Sequence, residues 1–186
     1  MSEKTLKRPE VLAPAGTLEK LKVAVDYGAD AVFVGGQAYG LRSRAGNFTM
    51  EELQEGINYA HANGAKVHVA ANMVTHEGNE TGAGEWFREL RDLGLDAVIV
   101  SDPALMVICL TEAPGLELHV STQASTTNYE SFAFWEEIGV SRVVWRVKSE
   151  LLKLKKFVNT PHLKLKLSFT AQCVSVIQGV VSFLII

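Results

Sequence analysis

The amino-acid sequence predicts an α/β fold made of repeated strand–helix units, and three observations carry that expectation. Short Val-rich runs alternate with helical patterns, most of the helices end in Gly just before the next run, and two units are near copies of each other. Strands this continuously apolar are covered on both faces, which is the habit of parallel sheets flanked by helices.

The units follow in order. "EVLAPAG" reads as the first strand and leads into the helix "TLEKLKVAVDYG", with Gly28 where a helix C-terminal cap belongs. "DAVFVGG" is the second strand, ending at Gly35 and Gly36, and "TMEELQEGINYAHANG" is its helix, capped by Gly64. "KVHVAANM" precedes the helix "AGEWFRELRDLG", capped by Gly94, and "DAVIVSDP" precedes the helix-like "ALMVICLT". "ELHVSTQA" is followed by "NYESFAFWEEIG" with Gly139, and "SRVVW" ends the series at Trp145. The copies are "YGADAVFVG" and "LGLDAVIVS", each a helix end, a Gly cap and an Asp-Ala-Val strand entry. No G-x-G-x-x-G opens the first helix, which favours a barrel over an open nucleotide-binding sheet. A closed barrel takes eight strands and typically about 250 residues. The expected architecture is therefore a partial (β/α)8 TIM-like barrel of about six parallel β/α units, not closed.

Composition bounds the function classes. With 186 residues, 47% hydrophobic and 21% charged, the chain can bury a core and is not a disordered polymer. A net charge of -3 recommends neither nucleic acid nor an anionic membrane as a partner of the whole. That charge is unevenly spread: residues 147–186 hold six Lys against Glu150 alone, which leaves 12 basic and 20 acidic residues ahead of them. Two cysteines, Cys109 and Cys173, build neither a disulfide framework nor a four-ligand metal site, so no metal is expected and a reducing, cytoplasmic setting fits. "MSEKTLKRPE" lacks the apolar region of a signal peptide, and no run reaches the roughly 20 apolar residues of a membrane span.

In a barrel, chemistry gathers at the C-terminal strand ends and the loops after them. There the sequence sets Pro14 to Gly16, Gly35 and Gly36, Asn72, Ser101 and Asp102, and Ser121 with Gln123. "LRSRAGNF" offers Arg42 and Arg44 as an anion clamp, since guanidinium pairs carboxylate or phosphate bidentately; a solvated loop is the competing reading. His76 in "NMVTHEGN" is a loop residue or an acid–base group. Asp102 either polarises a ligand or caps the next helix. His119, Ser121 and Gln123 alternate in "HVSTQ" and would share one strand face. Cys109 sits in an apolar helical stretch and reads as core. H-E-x-x-H, G-x-S-x-G and P-loop motifs are absent.

"EVLAPAGTLEKLKVAVDYGADAVFVGG", "LRSRAGNF", "ANMVTH", "DAVIVSDP" and "HVSTQASTTN", spread from Pro9 to Val144, together resemble the bacterial collagenase-like peptidase family. The resemblance implies a barrel-like N-terminal domain followed by a cysteine-bearing segment. It also implies one of several activities: peptide hydrolysis, prephenate-dependent hydroxylation of tRNA wobble uridine or ribosomal RNA cytidine, or oxygen-independent quinone hydroxylation. Cysteine-held iron–sulfur clusters belong to such complete proteins. Arg42, Arg44, Asn72, His76, Asp102, Ser121, Gln123 and Asn128 fall on the family's motifs and are the substrate-binding candidates; catalytic residues are not assigned. A small anion such as prephenate is the expected ligand, with RNA or peptide as substrate only for the complete protein.

After Val144 the family pattern continues Leu-Ala-Arg-Glu, a Glu-rich helix and a segment like F-I-H-G-A-M-C-I-S-Y-S-G-R-C. This chain instead reads "WRVKSELLKLKKFVNTPHLKLKLSFTAQCVSVIQGVVSFLII". One choice of codons for it, regrouped by one base, reads Val144 to Lys148 as Leu-Ala-Arg-Glu, admits Glu in place of the surplus Lys, and from Leu167 onward permits the cysteine-bearing segment. The expectation is a barrel domain over 1–144 and an out-of-frame tail over 145–186, in which Cys173 is not a family cysteine; a divergent genuine tail is the competing reading. Such a chain holds no iron–sulfur cluster and is inactive. Other readings are a catalytically dead product with a small-molecule mouth and a barrel lyase or synthase holding its substrate at Arg42 and Arg44. In the tail, "HLKLKLSF" alternates Leu with Lys and can add a seventh strand beside Val143, while "VSVIQGVVSFLII" is uncharged, β-prone and inclined to associate.

Overall fold

The computed structural model describes residues 10–40, 47–145, 164–167, 174–177 and 180–183. Six strands alternate with five helices in the expected order. They are β1 (Leu12–Ala15), α1 (Leu18–Asp26), β2 (Ala31–Gly35), α2 (Met50–Ala62), β3 (Lys66–Ala71), α3 (Ala83–Asp92), β4 (Ala97–Val100), α4 (Pro103–Glu112), β5 (Glu117–Val120), α5 (Tyr129–Glu137) and β6 (Arg142–Trp145). β1 to β6 pair in sequence order, every pair parallel. A seventh strand, β7 (Lys164–Leu167), joins β6 in parallel with Leu165 opposite Val143, as the Leu–Lys alternation predicts. β8 (Val174–Ile177) and β9 (Val180–Phe183) form a separate antiparallel pair. The rest of 146–186, and with it the expected weak order of the tail, lies outside the described residues.

The sheet is curled. In a flat sheet β1 and β6 would stand five strand spacings apart, about 24 Å. Yet Nη1 of Arg142 on β6 lies 3.4 Å from Oε2 of Glu10, just ahead of β1. Only a sheet bent into a half-barrel lets those two side chains meet, and this fixes the architecture as an open partial β/α barrel.

Helix boundaries follow from capping chemistry. Thr17 caps α1 by accepting from the Lys20 amide at 3.3 Å, and Thr49 with Glu52 forms a reciprocal capping box at the start of α2. The four predicted cap glycines end their helices at φ between 74° and 94°, a region costly for any residue with a Cβ. The strand-entry repeat has a mechanical role as well. Asp30, entering β2, accepts the amide of Val11 at 2.8 Å, and Asp96, entering β4, accepts that of Val67 at 2.8 Å. Each Asp thus latches its strand to the preceding one, and Asp96 also holds His61 at the end of α2, 2.9 Å away.

Strand residues alternate between two environments. One row faces the helices and packs into the main core: Val32 and Val34, Val67 and Val69, Val98 and Val100, Leu118 and Val120, and Val143. Against it lie Leu21, Leu53, Ile57, Phe87, Leu90, Leu105, Met106 and Phe132 from the helices, all buried. At ~25 cal/mol per Å² of apolar area removed from water, this layer is the dominant stabilising term. The other row faces the concave side, where Leu12, Ala31 and Phe33 form a small separate cluster.

Candidate functional site

The concave row carries polar chemistry that the apolar strands conceal. The pairing register runs Phe33, His68, Ala97, Glu117 across β2 to β5, and one step nearer the strand ends Gly35, Ala70, Ile99, His119, Arg142 across β2 to β6. His68, His119 and Arg142 are buried. The two imidazoles meet edge to face with centroids 5.0 Å apart, reaching diagonally over the small side chain of Ala97 on the intervening strand. Nε2 of His119 lies 3.3 Å from a Glu117 carboxylate oxygen. Arg142 completes the set by its reach to Glu10. A charged and polar layer therefore crosses the inside of the half-barrel where a structural barrel would carry aliphatics.

Above this layer lie the strand ends. Ala71 pairs with Val100, which sets Asn72 beside Ser101, and the Ser121 amide donates to the Val100 carbonyl at 2.7 Å, which sets Ser121 on the other side of Ser101. Pro14, Gly36, Asn72, Ser101, Asp102 and Ser121 accordingly lie at one end of the sheet. Ser101 and Ser121 are buried and Asn72 is half-buried. Asn47 joins them from the end of the β2–α2 connection, just ahead of α2. Its Oδ1 occupies space only 2.9 Å from where a Cβ on Gly35 would stand, so Gly35 is the residue that admits the Asn47 side chain over the inner row.

Several candidates turn out to be built into the backbone. Asp102 caps α4, with Oδ1 accepting from the amides of Ala104 at 2.8 Å and Leu105 at 3.4 Å. Its Oδ2 takes both the amide and hydroxyl of Thr75, at 2.8 and 3.0 Å, pinning the β3–α3 loop to the end of β4. Burial would raise this carboxyl, but the hydrogen bonds from Thr75, Ala104 and Leu105 outweigh it and hold the group below the ordinary Asp value. Asn128 caps α5 through the Ser131 amide at 2.8 Å. Ser121 Oγ accepts from the Gln123 amide at 3.4 Å and starts a 3-10 turn, Thr122–Ala124.

That turn corrects one expectation. β5 ends at Val120, so His119 and Ser121 share the concave side but Gln123 does not continue the alternation; it is exposed, on a turn that closes at Ser125 with φ 53°. The Ser121 hydroxyl bends the chain before the third residue of the pattern. His76 is exposed in a turn whose carbonyl takes the Asn79 amide. Arg42 and Arg44 lie outside the described residues.

Sequence reasoning passed over His68, Arg142, Glu10 and Asn47. A signal for His68 was present: "KVHVAA" and "ELHVST" each set a His–Val step mid-strand, and the His is the concave residue both times. Nothing local marks Arg142 and Glu10 as partners, since they stand 132 positions apart.

The described residues do not suit an iron–sulfur cluster. No group of three His, Cys, Asp or Glu among them could hold a metal ion. Cys109 is buried in the helix-side core, where loss of solvation pushes its thiol up to about 12, far from the thiolate a cluster needs. Cys173 lies outside the described residues.

Comparison with known proteins gives a consistent picture. Residues 16–169 match the sequence profile of Peptidase family U32. The chain is 47% identical over 150 residues to tRNA hydroxylation protein P1 of Bacillus subtilis, a match covering 81% of the chain and 36% of that protein. It is 37% identical over 155 residues to tRNA hydroxylation protein P of Escherichia coli, covering 82% and 34%. An uncharacterized protease of Methanocaldococcus jannaschii is 40% identical over 147 residues, covering 79% and 35%. The chain thus spans about a third of the length of these relatives. In three dimensions it resembles a solved U32 peptidase with a TM-score of 0.73 at 16% identity, over 94% of this chain and 73% of that one. It also resembles DHDPS from Cyanidioschyzon merolae with a TM-score of 0.57 at 17% identity, over 86% and 64%. Both likenesses bear on the fold alone.

Proposed function

The chain belongs to peptidase family U32, and on that premise we propose that it is the barrel portion of a protein acting in RNA hydroxylation, with tRNA wobble uridine as the target class. In this reading the concave strand-end face holds a small anionic co-substrate such as prephenate, and RNA is engaged only by the complete protein. The observation that carries it is the buried layer of His68, His119 and Arg142 under Ser101 and Ser121, a floor suited to an anionic ligand. The names of the Bacillus and Escherichia relatives add the RNA target.

Peptide hydrolysis is less well supported by the same residues. A nucleophile needs a lowered pKa or an adjacent base. Cys109 has its thiol pushed up to about 12 within the core, Ser121 is occupied as a cap, and Ser101 Oγ has no hydrogen-bond partner among the described residues.

The 186-residue chain by itself is inactive in this proposal. Residues 145–186 are an out-of-frame tail, β7 is an accidental strand on the free edge of β6, and the cysteines that would hold an iron–sulfur cluster belong to the frame-restored protein. The protein works in the cytoplasm; no helix among the described residues is long and apolar enough to cross a membrane. One experiment addresses all of this: sequence the gene across codons 140–190, then express the chain and a frame-restored version in a strain lacking tRNA hydroxylation. Mass spectrometry of tRNA nucleosides should show hydroxylated uridine with the restored version only. Hydroxylation by the 186-residue chain would overturn the inactivity, and none by the restored protein would overturn the RNA assignment.

A further inference from the structure

We infer that Ser101 is a ligand-contacting residue, the centre of a neutral polar row that also holds Asn72 and Ser121. This row reads an uncharged oxygen, a hydroxyl or keto group, on the small molecule held at the strand ends. The inference rests on the co-substrate reading above and assigns a part of that molecule other than its charge.

The row follows from the register. Ala71, Val100 and Val120 are the last residues of β3, β4 and β5 and pack into the helix-side core, so the residue after each turns to the concave side. Ala71 pairs with Val100, and the Ser121 amide donates to the Val100 carbonyl at 2.7 Å. Asn72, Ser101 and Ser121 therefore stand on adjacent strands at one end of the sheet, about 4.8 Å from one to the next. One tier lower, β3 and β4 carry Ala70 opposite Ile99, an apolar bed for a carbon skeleton.

Ser101 is the member of the row that the fold leaves unused. It is 7% exposed, and its Oγ has no hydrogen-bond partner among the described residues. Burial strips a hydroxyl of water, and a folded chain seldom does so without supplying a partner. A serine at this place ordinarily caps the helix that follows, but Asp102 does that, with Oδ1 on the amides of Ala104 and Leu105. Beside it, Ser121 Oγ accepts the Gln123 amide and so keeps its proton to donate.

The neighbours select what Ser101 binds. The start of a helix ordinarily welcomes an anion through its free amides. At α4 the amides of Ala104 and Leu105 are already taken by Asp102. Desolvation works against that carboxyl, yet the hydrogen bonds from Thr75, Ala104 and Leu105 hold it below the ordinary Asp value, so the residue next to Ser101 is a fixed negative charge. A second anion there is repelled, and Asn72, Ser101 and Ser121 carry no charge to offset the repulsion. Hydroxyls and side-chain amides both donate and accept, so the group that matches the row is a neutral hydroxyl or keto oxygen. The carboxylate of the same molecule is then held away from Ser101.

The test is isothermal titration of the 186-residue chain with cyclohexanecarboxylate and with its derivatives bearing a hydroxyl or a keto oxygen across the ring. These probes share one ring and one carboxylate and differ only in the group that Ser101 would read. The variants are Ser101→Ala and Asn72→Ala, each with a thermal melt. The hydroxyl or the keto probe should bind saturably and at least about tenfold more tightly than the parent carboxylate, the scale of one or two hydrogen bonds. Ser101→Ala should remove most of that preference, weakening the oxygen-bearing probe about tenfold and leaving cyclohexanecarboxylate within about twofold. Its ligand-free Tm should be unchanged or higher, because only an unpaired buried hydroxyl is lost. Asn72→Ala should weaken the same probe about threefold or more. Equal binding of all the probes, an undiminished preference in Ser101→Ala, or no saturable binding at all would each overturn the inference. So would a clear fall in the ligand-free Tm of Ser101→Ala, which would make the hydroxyl a structural group. Hydroxylation by the frame-restored protein is read separately, so this contact can fail while the RNA assignment stands, and the reverse.

Discussion

The helix-side and concave faces of one set of strands obey different rules. On the helix side, residue after residue is Val or Leu packed against buried Leu, Ile and Phe. On the concave side, the alternate positions of the same strands carry His68, His119, Glu117 and Arg142 between small residues such as Ala70 and Ala97. The contrast teaches where stability and chemistry reside. The outer layer holds the barrel together through area removed from water, and the inner layer keeps polar groups at the cost of desolvating them.

The largest way to break the comparison is a cavity in the outer layer. Phe87→Ala, at a fully buried position on α3, should destabilise by about 3–5 kcal/mol. Ile99→Ala, at a half-buried concave position, should cost less than about 2 kcal/mol because its surroundings are already open to solvent. Urea unfolding of the two variants measures the difference, and equal losses would mean the concave face is packed as tightly as the core.

A smaller effect, with a pH signature, comes from the junction of the two faces. Asp102 joins the β3–α3 loop to the start of α4, and its pKa is held below the ordinary value near 3.8. A lowered folded-state pKa contributes stability that is complete above the unfolded value and is lost as pH falls through the folded one. Asp102→Asn should therefore cost about 1–3 kcal/mol at neutral pH, since an amide nitrogen facing the Thr75 amide cannot accept from it. The variant should also show a shallower loss of stability below pH 4 than the parent. Parallel acid limbs in thermal melts of the two proteins would assign the acid sensitivity elsewhere.

Much of this was legible in the sequence, for physical reasons that also mark the limit. Gly28, Gly64, Gly94 and Gly139 announced helix ends because few other residues adopt their backbone conformation, and the Asp-Ala-Val repeat announced strand entries. Period-two patterns showed that faces alternate but not which face turns inward, and the concave row looked apolar because Ala, Ile and Phe separate its polar members. Arg142 and Glu10 meet only because the sheet curls, a property of the whole and of no segment. At the strand ends, a residue that caps a helix and one that touches a ligand are of the same type, so the sequence alone does not separate the capping role of Asp102, Ser121 and Asn128 from a binding one.

Asn128 and Gln123 provide the smallest and finest discrimination, because both are exposed, polar and close in sequence, yet only one is a cap. Asn128 Oδ1 satisfies the Ser131 amide, one of the donors a helix start leaves unpaired, so Asn128→Ala should cost about 1 kcal/mol. The Gln123 side chain stands exposed on the 3-10 turn, and Gln123→Ala should stay within about 0.5 kcal/mol of the parent. Thermal melts separate the two readily. If Gln123→Ala then lowers tRNA hydroxylation in the frame-restored protein at unchanged Tm, its role is contact with a ligand or RNA at the barrel mouth. If it lowers the Tm by as much as Asn128→Ala, the turn after β5 is a structural element and Gln123 leaves the candidate site.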